Sequence, residues 1–383
     1  LDGAIKKIDF VKINHGSKMK RINNSNKYFV VVGSYASPEC PGIYSFLFND
    51  MTGELTTIST FAGIMNASFL VIHPNRRWLY AVSETSKEKH GCLGSVWAFN
   101  IKHPQFPIEP INHQSSKGDS PCHLQFDSTG RWLLATNYGS GNACLFPIQS
   151  DGSLGEMTDF VQHSGNRVEG GIPHAHSSIF TPDNRYAIIA DLGIDQLVMY
   201  KVDTVAGKLL AHSTINTRLG AGPRHLVFHR SGKWLYVANE LDSTLTRYDY
   251  NAVNGALVER QTLATIPLNS PNNKVAELRI STQGDRLYVS NRGHNSIAVY
   301  DIDENGFLKL ISIPSCGGDW PRSFALVPDG HHMLVANQYS NNIGVFSINK
   351  ENRSLAQIGC VTVTNPSCIQ LYEFDGDSIN GSV

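Results

Sequence analysis

The sequence predicts an all-β fold, a seven-bladed β-propeller with four-stranded antiparallel blades. Three observations carry this reading. A strand–turn–strand–turn–strand unit recurs six times, successive copies start about 46 to 54 residues apart, and the two chain ends hold complementary parts of a seventh copy.

The clearest copies are PRHLVFHRSGKWLYVANELDSTLTRYDY from Pro223, PCHLQFDSTGRWLLATNYGSGNACLFPI from Pro121 and PRSFALVPDGHHMLVANQYSNNIGVFSI from Pro321. The same frame fits VAELRISTQGDRLYVSNRGHNSIAVYDI from Val275, AHSSIFTPDNRYAIIADLGIDQLVMYKV from Ala175 and ASFLVIHPNRRWLYAVSE from Ala67, which reaches GSVWAF after an insertion. Runs of β-branched and aromatic residues bounded by Gly, Asn and Asp read as strands. Their short apolar runs and period-2 alternation exclude a helical solenoid. A weaker fourth strand follows each unit, often after a DG or NG turn such as Asp151-Gly152 or Asn254-Gly255.

The ends complete the ring. NPSCIQLYEF from Asn365 matches only the first strand of the unit, while KYFVVVGSYAS and GIYSFLF near the start match only the second and third. Pairing residues 365–374 with 27–48 makes a seventh blade and removes the sheet edges that an open array would expose. Residues 27–374 are thus expected to form a single propeller. Residues 1–26, with Lys6, Lys7, Lys18, Lys20 and Arg21 but no apolar signal-like stretch, read as a polar leader, and 375–383 as a tail.

Bulk properties narrow the function. With 32 Lys and Arg against 33 Asp and Glu, the net charge of -1 argues against a nucleic-acid-binding surface. No apolar run approaches a membrane span. The expected location is the cytoplasm, with export as the alternative if a leader preceded Leu1. Seven cysteines in no zinc-like or CxxC spacing read as reduced, mostly buried thiols.

A tight turn joins the first two strands of each blade, so the start of the first lies beside the end of the second. Aligned strand starts then form rings at one mouth of the channel. One ring is Ser68, Cys122, His176, Arg224, Ala276, Arg322 and Ser367; the next is Phe69, His123, Ser177, His225, Glu277, Ser323 and Cys368. After the second strand come Ser83, Asn137, Asp191, Asn239, Asn291 and Asn337, followed by Glu84, Tyr138, Leu192, Glu240, Arg292 and Gln338. Recurring Asn or Asp fits a structural role in each turn. The residues that do not recur, His176, Arg224, Glu240, Arg292 and Arg322, point instead to a site.

Arginines beside a carboxylate and histidines suit an anionic substrate, with Glu240 or a histidine moving a proton. His123, His174, His225, Glu277, Arg322 and Asn239 are the expected substrate contacts. His174 and His176 form an HxH pair, but no further ligand set accompanies it, so no metal or other cofactor is expected. GxSxG is absent, and Gly139-Ser140-Gly141 falls in a blade turn, which disfavours a nucleophilic serine.

On PCHLQFDSTGRWLLATNYGSG, IPHAHSSIFTPDNRYAIIADLG, GPRHLVFHRSGKWLYVANE and AELRISTQGDRLYVSNRGHNSIAVY, the chain resembles the seven-bladed propeller lactonases. That family includes a bacterial 6-phosphogluconolactonase and the fungal carboxy-cis,cis-muconate cyclase. The resemblance runs from about Lys27 to Phe374 and implies catalytic roles for His176, Arg224, Glu240 and Arg292. The motifs are nearer the bacterial branch, which implies hydrolysis of 6-phosphogluconolactone, a step of the pentose phosphate pathway. In that reading the arginines hold the phosphate or the developing oxyanion, and Glu240 and His176 divide the proton work, one activating water and the other protonating the leaving oxygen, with the order left open. Two rivals stand beside it: a lactonising cyclase or isomerase acting on a dicarboxylate, and a non-catalytic interaction platform. The expected partner is a small anionic lactone or carboxylate, bound by a monomer or weak homo-oligomer.

Overall fold

The computed structural model describes residues 26–101, 107–165, 171–270, 272–349, 351 and 353–374. They form seven antiparallel sheets of four strands each. The innermost strands of blades 1 to 6 are Leu70–Ile72, Pro121–Phe126, Ala175–Phe180, Pro223–Phe228, Lys274–Ile280 and Pro321–Leu326. Each touches the next around the channel, and Pro366–Glu373 of blade 7 returns to the first.

Blade 7 closes the ring as expected. Its innermost strand comes from the C-terminal end, and Asn26–Ser34, Ile43–Asn49 and Glu54–Phe61 follow outward. Val30 lies opposite Leu371 on one side and Phe46 on the other. The expected leader and tail lie outside the described residues, except that Asn26 opens a strand.

The turn between the first two strands sets the blade register. At its last position the chain is left-handed, with φ near +71° at Gly130 and Gly232, +82° at Gly284 and +72° at Gly330. Glycine takes this conformation without a Cβ clash. Blades 1 and 3 place Arg76 and Asn184 there instead, at φ 61° and 57°.

The second strands explain the unbroken apolar runs of the sequence. Every residue of Trp132–Asn137 and Tyr186–Asp191 is buried, because neighbouring blades cover both faces. Tyr236, Ala238 and Leu245 of blade 4, for example, share one apolar cluster with Leu278, Leu287, Val289 and Ala298 of blade 5. Outermost strands such as Lys208–Asn216 are largely exposed, hence their weaker signal.

One fourth strand starts later than the turn motif suggests. Leu257–Ala264 directly follows Asn254-Gly255, but after Asp151-Gly152 only a lone bridge forms, between Ile148 and Leu154. The Asn112 side chain of blade 1 bonds both the N–H and the carbonyl of Leu154. Those backbone groups are therefore withdrawn from the ladder, and the strand proper is Asp159–Gln162. Among the seven free thiols, Cys122, Cys144, Cys316 and Cys368 are buried, while Cys40, Cys92 and Cys360 are exposed. Among the described residues no helix is long and apolar enough to cross a membrane.

Candidate active site

At one mouth of the channel the innermost strands do not pair evenly. In blade 4 Pro223 faces Asn239 and His225 faces Ala238, which leaves Arg224 opposite no residue. The same one-residue bulge isolates Cys122, His176 and Arg322 in blades 2, 3 and 6, and Ser367 in the closing blade. A β-bulge bends its strand and re-aims the extra side chain. These residues belong to the ring aligned with Arg224, so the bulge is the device that gathers this ring at the mouth.

A cavity of about 340 Å³ opens there, with His176, Glu240, Arg292 and Arg322 in its wall. Arg224 lies buried behind Glu240. Its Nε donates to Glu240 Oε2 at 3.0 Å, and Arg292 Nη2 donates to the same oxygen at 2.6 Å. Backbone carbonyls hold the other sides of both forks: Ala276 accepts from Arg224 Nη1 at 2.7 Å, and Val275 from Arg292 Nη2 at 3.1 Å. Burial pushes the Glu240 carboxyl upward, but Arg292 and Arg224 outweigh it and hold the group below the usual carboxylate range. Burial lowers both guanidiniums, yet arginine's intrinsic basicity keeps them charged.

His176 is buried and its Nδ1 has no hydrogen-bond partner. Burial, then Arg224 and His225, push the ring well below its ordinary value of 6.5, so it is neutral at pH 7. Its carbonyl accepts from Cys122 Sγ and Thr136 Oγ1, each at 3.1 Å, which anchors the bulge. Burial raises the Cys122 thiol, so this cysteine is no thiolate nucleophile. Across the cavity Arg322 Nη2 donates to Tyr35 Oη at 2.7 Å, and that hydroxyl donates to Glu84 Oε2 at 2.8 Å. Around the cavity, Lys274, Arg224, Arg292 and Arg322 face two carboxylates, Glu84 and Glu240, an excess of two positive charges. A larger cleft of about 630 Å³ beside blade 1 has Met65, Leu93 and Trp97 in its wall and, among the described residues, no Asp, Glu, Lys or Arg. The smaller cavity is the one equipped for chemistry.

The other expected contacts divide in two. His123, His225 and Glu277 form a second layer that does not line the cavity. Glu277 Oε1 lies 3.1 Å from His225 Nδ1, Oε2 accepts from Arg279 at 3.3 Å, and the two histidine rings are 5.4 Å apart. His174 stacks on Tyr138, centroids 4.4 Å apart, and stands behind that wall residue. Asn239, expected to touch substrate, bonds Thr244 and Thr246 of its own blade at 2.9 Å and does not reach the cavity. Asn137, Asn291 and Asn337 likewise bond residues of their own turns, as the recurring pattern suggested.

The second layer has a consequence for acid stability. Burial pushes His225 down to about 4 and His123 well below 6.5. A depressed folded value means that the unfolded chain takes up protons first, so this stability is complete above pH 6.5 and is lost as pH falls toward 4. Burial pushes the Glu277 carboxyl up but Arg279 and His225 hold it low, so its contribution is complete above the ordinary value of 4.5 and is lost as pH falls below it. Between pH 6.5 and 4.5 the unfolding free energy is expected to fall by about 2–3 kcal/mol through His225 alone. Urea titrations at three pH values check this, and a constant midpoint would contradict neutral burial.

Several cavity residues escaped the sequence reading as candidates. Tyr35 occupies, in the closing blade, the position of Glu84, Tyr138, Glu240 and Arg292, and completing that ring across the termini would have found it. Glu84, Tyr138 and Gln338 stood in the same ring without being singled out. Lys274 and Trp320 precede the repeat frame, and only the fold shows them.

Known proteins share this architecture and sequence. The chain is 33% identical over 351 residues to a 6-phosphogluconolactonase of Bacillus subtilis, covering 90% of this chain and 98% of the relative. A 6-phosphogluconolactonase of Formosa agariphila is 34% identical over 354 residues, covering 90% and 99%. The structure of a periplasmic gluconolactonase from Pseudomonas aeruginosa superposes with a TM-score of 0.85 at 27% identity, covering 90% of this chain and 99% of that one. The family described as lactonase, 7-bladed beta-propeller, matches residues 29–371, which takes in all seven innermost strands but for the last residues of the closing one. With that span, these identities and a ring closed between its own ends, the chain belongs to the seven-bladed β-propeller lactonases.

Proposed function

We propose that the protein hydrolyses 6-phosphogluconolactone to 6-phosphogluconate. The observation that carries this reading is a neutral His176, its Nδ1 without a hydrogen-bond partner, beside two guanidiniums fixed on one carboxylate, in a cavity with two excess positive charges. A sugar lactone phosphate brings close to two negative charges at neutral pH. The likeness to two 6-phosphogluconolactonases supports the same substrate.

In this reading His176 takes a proton from water as its oxygen attacks the lactone carbonyl. Arg292, with Arg224 behind it, stabilises the oxyanion of the tetrahedral adduct. The imidazolium then returns the proton to the ring oxygen as the C–O bond breaks, and the new carboxylic acid ionises. Glu240 holds the two forks in place. Glu240 is engaged by two guanidiniums, so both proton steps are given to His176, a division of roles that the sequence leaves open.

A dianionic sugar phosphate does not cross a membrane, so the reading places the enzyme in the cytoplasm. It requires no second chain, nucleic acid or cofactor. The test is a panel: freshly prepared 6-phosphogluconolactone, unphosphorylated gluconolactone and carboxymuconate, each corrected for its spontaneous reaction. The phosphorylated lactone is expected to have the highest kcat/KM. Preferred turnover of carboxymuconate would replace this reading with the cyclase.

A further inference from the structure

The two sides of the cavity treat their arginines differently. Arg224 and Arg292 donate directly to one shared carboxylate oxygen and to backbone carbonyls, so part of each fork is taken and their charge is opposed at contact distance. Arg322 is only partly buried, and among the described residues its one side-chain hydrogen bond goes to a neutral hydroxyl, Tyr35 Oη. Its guanidinium also lies 5.1 Å from the Tyr35 ring centroid, a cation–π contact that fixes the plane of the fork. Glu84 is reached only through that phenol. The relay spans Arg322 in blade 6, Tyr35 in blade 7 and Glu84 in blade 1, across the seam where the ring closes.

A guanidinium has five N–H donors, and a direct bidentate carboxylate would occupy two of them and cancel the charge. A tyrosine between the two transmits position but not charge. We infer that Arg322 is the receptor for the substrate's remote anionic group, a phosphate in the reading above, and that Tyr35 and Glu84 are positioning residues that keep its fork oriented and unneutralised. The lactone ring then lies toward His176, with its carbonyl at Arg292. The identity of the anionic group rests on the proposed hydrolase activity; the presence of an anion receptor at Arg322 does not.

Inorganic phosphate is therefore the probe, its binding measured by calorimetry on the intact protein and without turnover. In Tyr35→Phe the bridging hydroxyl is gone and Arg322 can pair with Glu84 directly. Phosphate affinity is expected to fall about 10-fold, and KM for 6-phosphogluconolactone to rise about as much, with kcat within about 2-fold. Adding Glu84→Gln removes the competing carboxylate and is expected to restore phosphate affinity to within about 3-fold of wild type. Glu84→Gln alone is expected to tighten phosphate binding, which covers the case of a poorly folded Tyr35→Phe. Arg322→Met is expected to lower the kcat/KM preference for the phosphorylated over the unphosphorylated lactone by about 100-fold. Wild-type phosphate affinity in Tyr35→Phe, a loss that Glu84→Gln does not reverse, or weaker binding in Glu84→Gln alone would overturn the inference. Phosphate binding at Arg322 without lactone hydrolysis would leave the inference standing and remove the hydrolase reading.

Discussion

Alanine at His176 is expected to lower kcat for lactone hydrolysis about 10³-fold, the middle of the range for a general acid–base group. The imidazole is held neutral by burial and by the neighbouring guanidiniums, and its Nδ1 has no hydrogen-bond partner. The Arg224–Glu240–Arg292 network does not bond its ring, so KM is expected to change little and the loss to fall on kcat. The pH profile separates this role from a structural one. On a lactone without a titrating phosphate, kcat/KM is expected to stay level as pH falls through 6.5, because the free enzyme's imidazole protonates only well below that value. A decline centred near 6.5 would mean that His176 is solvated and ordinary.

The second large effect is expected at Glu240. Replacing it with glutamine leaves Arg224 and Arg292, both buried, without the carboxylate that opposes them. Removing one member of a buried ion cluster costs about 3–5 kcal/mol, and urea denaturation at pH 7 would show it. Activity is expected to fall about 100-fold, the order seen on loss of one oxyanion donor, since two forks lose their common anchor. The pH profile should keep its shape, because the base remains His176. A glutamine variant of full stability would mean that the two arginines find other partners.

Much of the fold was legible because it repeats. The left-handed turn at Gly130, Gly232, Gly284 and Gly330 fixes a register from which every ring follows. Within it, the residues that break the repeat, His176, Arg224, Glu240 and Arg292, come together at one mouth. The bulge at Cys122, His176, Arg224 and Arg322 was not legible, because it arises from pairing geometry and leaves no composition signal. Tyr35 was missed because its blade is split between the ends, and a comparison of contiguous copies leaves its ring one member short. Asn239 shows the converse: aligned beside Glu240, it serves its own turn. Likewise the neutrality of His176 depends on its burial and then on Arg224, His225, Arg322 and Arg292, drawn from blades 4, 5 and 6, which no local pattern joins.

The decisive measurement is the decay of freshly generated 6-phosphogluconolactone at neutral pH, followed by ³¹P NMR in buffer, with wild-type protein and with His176→Ala. The structure predicts rapid loss of the lactone with wild type and decay close to the spontaneous rate with the variant. Wild-type decay no faster than buffer, or equal acceleration by both proteins, would contradict it.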